Sequence, residues 1–208
     1  MTTTISLKLH TIVPCAVGVR AGGNSEKIEQ VNEFVCLGSL FINHGKHDRD
    51  IGRRVNAGNK LNGALLAIMN SKSVSRQTHL AIHNGDLIPT LIYGSESWVW
   101  KKKNESRINA VDMRSLRSMC GVSQKERCRY SDVRERCGLK EDVVTITERG
   151  MLHWFDYLER MNEDRLTKQI YRVNVCGEKG NKGRSRKSYA DHMGSILKKG
   201  TILSTRNR

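Results

Sequence analysis

The sequence lacks long apolar segments, and this absence excludes a membrane-spanning helix of ordinary length. No stretch approaches the roughly 20 consecutive apolar residues that such a helix needs. Aromatic residues make up only 5% and hydrophobic residues 38% of the 208-residue chain, so we expect a modest and mostly aliphatic core in one domain or two small ones. The opening residues MTTTIS also lack the basic and apolar segments of a secretory signal.

Cysteine is present but in no recognisable pattern. No Cys-x-x-Cys pair occurs, and the wide spacing is unlike that of a secreted disulfide scaffold. The six cysteines are Cys15, Cys36, Cys120, Cys128, Cys137 and Cys176. His79 and His83 are four residues apart and could share a zinc ion on a helix, but no second ligand pair completes the set. We interpret the cysteines as free and structural, and predict a reducing compartment, the nucleus or the cytoplasm.

Acidic residues are scarce relative to basic ones, and the imbalance is concentrated in the second half of the chain. The formal net charge is +15. Residues 101–208 contain 26 Lys and Arg against 14 Asp and Glu. A positive electrostatic field attracts polyanions, so RNA or DNA is the expected partner. We expect neither a membrane nor a small-molecule substrate as a partner. Solvated basic faces are the alternative explanation of the same composition.

Apolar periodicity predicts a mainly α fold with a small hairpin near its start. Residues 26–42 contain short apolar runs on both sides of Gly38, which is typical of two strands or a bulge. A helix is predicted from Asp48 to about residue 68, followed by one over residues 75–93 that should kink or break near Asp86, because Pro89 removes a backbone donor.

Further helices are predicted after residue 100. The pattern indicates helices over 105–119, 131–137 and 141–161, with another short one over 166–173. Ser131 is the expected N-cap of the second of these, and Gly138 occupies the position of a C′ glycine. From Cys176 onward glycines alternate with cations, so we expect a flexible basic tail with at most a short helix over 188–198.

Four blocks of the sequence are more specific than its composition. They are residues 34–39 (FVCLGS), 87–98 (LIPTLIYGSESW), 151–155 (MLHWF) and 183–187 (GRSRK). In this order they resemble the region that follows the polymerase palm in reverse transcriptases of non-LTR retrotransposons, the LINE-like and jockey-like mobile elements. The resemblance covers residues 26 to about 189. Cys36 stands where that family usually has an aromatic residue, and Ser185 where it has proline.

The resemblance implies an organisation as well as an origin. It implies a primer-grip-like hairpin at residues 26–42, a thumb-like helical region at 43–125, a C-terminal helical region at 126–175 and a basic tail at 176–208, with an unassigned leader at 1–25. The family's catalytic carboxylates, and the Mg²⁺ that they hold, belong to the palm, which we expect this chain to lack. Tyr189 and Asp191 imitate part of the polymerase signature, but His192 replaces the second carboxylate. We therefore expect no catalytic residue, no cofactor and no copying by this chain alone.

Candidate binding residues follow from the same blocks. The hairpin candidates, Cys36, Leu37 and Gly38, resemble a primer grip, where glycine permits close approach to a sugar-phosphate strand. The nucleic-acid candidates are Arg53, Arg54, Trp100, Lys101, Lys102, Lys103, Arg184, Arg186 and Lys187. We interpret Trp98 as a packing residue. The predicted function is residual, non-specific RNA or DNA binding, and a separate palm segment is a second candidate partner. The alternatives are a structural interaction module and a translated relic without selected function.

Overall fold

The computed structural model describes residues 32–42, 47–99, 101–123, 125–165, 167–168 and 189–206, with side chains to residue 199. It confirms a mainly α fold with a small hairpin. Several predicted features lie outside the described residues: the leader at 1–25, Cys15, Trp100, Cys176 and residues 169–188 of the predicted C-terminal segments.

The chain divides into two compact units. The first consists of Met1–His47, Ser97–Val99 and Met151–Arg208, and the second of Asp48–Glu96 and Trp100–Gly150.

The first unit begins with the predicted hairpin. Strands β1 (Glu33–Cys36) and β2 (Ser39–Ile42) pair antiparallel, with Cys36 opposite Ser39. The turn between them is two residues long, and both adopt positive φ, 46° at Leu37 and 79° at Gly38. Two consecutive positive φ values match the twist of paired strands, but a bulky residue in this conformation is uncommon. The rings of Phe34 and Phe41 stack across the ladder at a centroid distance of 5.2 Å.

The second unit is built on two long helices, α1 (Asp48–Met69) and α4 (Lys102–Met119). Asp48 accepts from Asn104 near their starts, a Cβ on Gly52 would lie 3.5 Å from Arg107, and a Cβ on Gly58 would lie 3.0 Å from Val111. Since the partners advance together along both helices, α1 and α4 run parallel. Their N-terminal ends consequently lie at the same end of the unit.

The segment between these helices contains the predicted break. Helix α2 (Arg76–Ile82) starts after the N-cap Ser75, whose hydroxyl accepts from the Thr78 amide. It continues into a π-helical turn (His83–Leu87) and then α3 (Ile88–Ile92). Pro89 lacks an amide hydrogen, and the ladder just before it shifts to the wider π spacing, with the Ile88 amide bonded to the His83 carbonyl. The Thr90 hydroxyl donates to the Asp86 carbonyl, one turn earlier, at 2.7 Å.

Helices α5 (Tyr130–Cys137) and α6 (Val143–Arg160) follow α4. The expected N-cap of α5 is wrong. The helix starts one residue early with Arg129 at that position, and the Ser131 hydroxyl donates to Asp132 instead. Gly138 terminates α5 at φ 74°, as predicted. Asp142 accepts from the Thr145 amide at 2.6 Å, a typical N-terminal cap for α6.

The last described helix, α7 (Tyr189–Arg206), is longer than the short helix predicted over 188–198. Tyr189, Met193 and Ile196 follow the i, i+4, i+7 spacing and are all buried. The packing of this apolar stripe stabilises the helix. The glycine-rich sequence that precedes it had suggested a flexible tail. Asp191, part of the polymerase-like tripeptide, lies in the first turn of this helix.

Candidate nucleic-acid interface

Basic side chains gather at the shared N-terminal end of α1 and α4. Along α1, Arg49 and Arg53 are one turn apart and exposed. On α4, Lys102 and Lys103 occupy the first turn, after Lys101 at the N-cap position. The helix begins three residues before the predicted start at 105, so these lysines are part of it. We call Arg49, Arg53, Lys101, Lys102, Lys103 and Arg107 the basic end.

Arg49 and Arg107 were not among the residues predicted from sequence. A Cβ built on Gly52 would lie 3.5 Å from an Arg107 guanidinium nitrogen, so Arg107 reaches across to α1 beside Arg53. The available sequence signal is its i,i+4 spacing from Lys103, which places both cations on one side of α4. Only the packing of α4 against α1 shows that this side adjoins the first turns of α1.

The electrostatics of the α4 N-terminus are unfavourable for the helix alone. A helix N-terminus carries partial positive charge and is stabilised by acidic side chains, whereas this one begins with Lys101, Lys102 and Lys103 and has Glu105 as the only acidic residue of its first turn. No side-chain hydrogen bond caps it at Lys101. Asp48 gives partial compensation: its carboxylate accepts from Asn104 at 2.7 Å and lies 3.8 Å from the Lys101 ammonium, which remains 75% exposed. The amides at the start of a helix, together with ammonium groups, are well suited to bind an anion such as phosphate.

The two arginines predicted on α1 have different environments. Arg53 is exposed, while the guanidinium of Arg54 lies 4.5 Å from the centroid of the Tyr93 ring. A cation stacked on an aromatic face is held in place and is less available to a ligand. Ile51 and Val55 are buried, so their predicted position toward the core is confirmed.

The remaining predicted residues are distributed elsewhere. Cys36, Leu37 and Gly38 form the hairpin tip, where Leu37 is 75% exposed. Trp98 is 1% exposed, which confirms its interpretation as a packing residue. Trp100, Arg184, Arg186 and Lys187 lie outside the described residues.

A second aromatic and basic cluster lies in the first unit. The Trp154 and Tyr157 rings stack at a centroid distance of 5.4 Å on α6. Tyr157 also lines an open groove with Arg160, Met161, Asn162 and Arg165. Part of the Arg160 charge is engaged by Asp156, one turn earlier on the helix. The i,i+3 spacing of the two aromatics was the sequence signal for this cluster.

Within the described residues, no three His, Cys, Asp or Glu side chains are grouped as metal ligands would be. His79 and His83 have separate partners, since His79 Nε2 lies 2.9 Å from the Ile68 carbonyl and His83 Nε2 lies 2.9 Å from Asp112. Among the described helices, none has the length and apolar character required to cross a bilayer.

Comparison with known proteins gives one informative likeness. The chain is similar to a transposon-derived protein. This relative, described as an uncharacterized transposon-derived protein of Caenorhabditis elegans, is 23% identical over an alignment of 163 residues that covers 74% of the chain. The chain spans about half of it, 56% of its length. No family profile and no solved structure matches the chain. The likeness points to a mobile-element origin, and the relative's description names no activity.

Proposed function

We propose that this chain is a fragment derived from the post-palm region of a retrotransposon reverse transcriptase, and that it binds RNA or DNA through phosphates without sequence preference. The observation that carries the proposal is the basic end. It combines cations from two parallel helices with a helix N-terminus that begins with lysines and where the N-cap side chain, Lys101, forms no capping hydrogen bond. The likeness to a transposon-derived protein supports the origin.

The proposed contacts are electrostatic and positional. Lys101, Lys102 and Lys103 would neutralise consecutive phosphates, while Arg53 and Arg107 extend the same surface across α1 and α4. Phosphate contacts orient a strand and carry no base information, so RNA and DNA of any sequence should bind. Copying would require a separate palm segment that supplies the carboxylates and Mg²⁺, and this chain would then act as its grip on the template and primer.

Salt titration of a fluorescent primer–template duplex tests the proposal. Each neutralised phosphate contributes about −0.9 to the slope of log affinity against log salt on B-DNA. Replacing Lys101, Lys102 and Lys103 by alanine should therefore make the slope shallower by up to about 2.7. The matched control replaces Lys125, Arg127 and Arg129, three exposed cations after the other end of α4, and removes the same charge.

The control should keep most of the wild-type slope. If both triple variants lose affinity equally, binding reflects net charge alone and the basic end is not a site. A wild-type affinity that does not change with salt would contradict phosphate binding altogether.

The hairpin favours a second function, an interaction module that docks on another protein. Val35 is 56% and Leu37 75% exposed, so one part of β1 and the turn present apolar surface to solvent. An isolated chain of this kind should bind ANS and self-associate. Replacing Val35 and Leu37 by serine should then reduce ANS fluorescence and aggregation. A compact monomer that binds no ANS would argue against this function.

A further inference from the structure

Two cysteines that are far apart in the chain have sulfurs in contact at the end of α4. Cys120 is the C-cap residue of α4 and Cys137 is the last residue of α5. Their Sγ atoms lie 2.7 Å apart. A disulfide bond is about 2.05 Å long, so the two sulfurs are already close to bonding distance.

The surroundings hold both sulfurs in this position. Cys137 is fully buried in a cluster with Met113, Leu116 and Val133, and Cys120 packs against the same cluster. Each thiol also faces a backbone carbonyl, Cys137 that of Leu116 at 3.7 Å and Cys120 that of Val133 at 4.0 Å. The pair is thus fixed by the α4–α5 packing and would need little movement to cross-link.

Hydrogen bonds hold the loop between α4 and α5 in place without involving the sulfurs of Cys120 and Cys137. The Arg117 guanidinium donates to the carbonyls of Ser123, Glu126 and Cys128 at 3.0, 3.3 and 2.9 Å. One side chain therefore orders the loop that must close when the ends are joined. Loop ordering before bond formation reduces the entropy that a cross-link has to remove.

We propose that Cys120 and Cys137 are a reversible redox site that forms an intramolecular disulfide by exchange with a small-molecule disulfide such as glutathione disulfide. The inference is independent of nucleic-acid binding. Cytosolic and nuclear disulfides of this kind are transient and sense redox conditions.

The reaction occurs in two exchange steps. The thiolate of Cys120, the more exposed sulfur, attacks one sulfur of glutathione disulfide and releases a glutathione thiolate. Cys137 then gives up its proton to solvent and attacks the Cys120 sulfur, which expels the second glutathione thiolate. Both expelled thiolates are protonated by solvent. Two protein thiols are oxidised, and one glutathione disulfide is reduced to two glutathione molecules.

The order of attack follows from the environments of the two sulfurs. Burial, followed by the hydrogen bond and charge of Cys120, raises the pKa of the Cys137 thiol to about 12. The positive charge of Arg76 opposes this shift, and the negative charge of Asp112 adds to it. A buried thiol with a raised pKa rarely forms the thiolate that begins exchange, so Cys137 acts second, on a neighbour that is already in contact.

Peptide mapping of the intact chain tests the proposal directly. The protein is equilibrated in buffers of increasing glutathione disulfide to glutathione ratio, alkylated and digested with trypsin without reduction. Cleavage after Lys and Arg separates the three relevant cysteines into peptides 118–125, 128–129 and 137–140. The expected product is peptide 118–125 linked to 137–140, with peptide 128–129 alkylated.

Variants establish the order of the steps. Cys128→Ser is the matched control, because Cys128 packs against the same cluster, and it should form the cross-link like the wild type. Cys137→Ser should stop at a mixed disulfide and gain the mass of one glutathionyl group on Cys120. Cys120→Ser should leave Cys137 reduced at every ratio of glutathione disulfide to glutathione. In the wild type, formation of the cross-link should raise the Tm by several degrees.

Three results would overturn the proposal. They are separate alkylation of Cys120 and Cys137 in the most oxidising buffer, pairing of either cysteine with Cys128, and a cross-link between two chains. The peptide map of the wild-type protein requires no substitution, so it tests the proposal even if a variant does not fold. The pair also lies at the opposite end of α4 from the lysines, about 27 Å away for an 18-residue helix, so its oxidation can be scored independently of nucleic-acid affinity.

Discussion

His83 Nε2 lies 2.9 Å from Asp112 Oδ1, and the side chains of both residues are nearly inaccessible to solvent, 2% and 3% exposed. The other ring nitrogen of His83 lies 3.0 Å from Asn84 Oδ1. The second carboxylate oxygen of Asp112 lies 4.0 Å from Arg134, which also approaches Asp142 and donates to Asn109. A histidine and an aspartate in contact could suggest acid–base chemistry, but their burial prevents access of a substrate. The pair joins the π-helical turn to α4 and links α4 to α5.

Replacing Asp112 by alanine should strongly destabilise the second unit. The change leaves the buried Nε2 of His83 without its partner, which typically costs about 1–3 kcal/mol, while Arg134 keeps Asp142 and Asn109. Urea unfolding followed by far-UV circular dichroism measures the loss. The matched control, Asp132→Ala on exposed α5 surface, should cost less than about 1 kcal/mol. Equal losses in the two variants would show that the Asp112 contacts contribute nothing beyond an ordinary surface carboxylate.

Gly58 should tolerate no side chain, because α1 is closely packed at that point. A Cβ there would lie 2.6 Å from Leu91 Cδ2 and 3.0 Å from Val111 Cγ1. We expect Gly58→Ala to lower the free energy of unfolding by about 1–3 kcal/mol. In the same helix, Gly63 has nothing within 4 Å of its Cβ position, so Gly63→Ala should raise stability by about 0.5–1 kcal/mol. Chemical denaturation of both variants decides the matter, and a loss at Gly63 comparable to that at Gly58 would contradict the close packing.

Reversing the charge of Lys102 and Lys103 should stabilise the protein while weakening nucleic-acid binding. Glutamate in the first turn of α4 complements the helix dipole, and each substitution should contribute about 0.3–1 kcal/mol. The control variant, Lys60→Glu with Lys125→Glu, makes the same change in net charge at exposed positions away from the first turn of a helix. Thermal melts and duplex titrations are measured together. If the control gains as much stability, relief of the overall positive charge explains the effect and the helix dipole does not.

The raised pKa of Cys137 predicts a loss of stability at high pH. Because the folded protein favours the neutral thiol, this contribution is complete below pH 9, the ordinary value, and is lost as the pH rises toward about 12. Over that range the unfolding free energy of the wild type should fall more steeply than that of Cys137→Ala, by up to about 1.4 kcal/mol per pH unit. Denaturation series under reducing conditions test this, and parallel curves for the two proteins would refute it.

The sequence by itself determined the local features of this protein. The start of α1 at Asp48, the Ser75 cap, the break before Pro89 and the end of α5 at Gly138 all depend on residues within one or two turns of each other. Such features follow from missing donors, capping groups and glycine conformation, which act over short stretches of chain. The hairpin about Gly38 was predictable for the same reason, although the positive φ of Leu37 was not.

Only the tertiary structure decided which distant residues meet. The parallel packing of α1 and α4 brings Arg107 beside Gly52 and Asp48 beside Lys101. The contact of Cys120 with Cys137, and that of His83 with Asp112, likewise join separate helices. Apolar periodicity shows which side of a helix is buried, but many partners could cover that side. The choice among them is made by the simultaneous packing of all the helices, as at Gly58, where the absence of a side chain lets α1 approach Leu91 and Val111 closely.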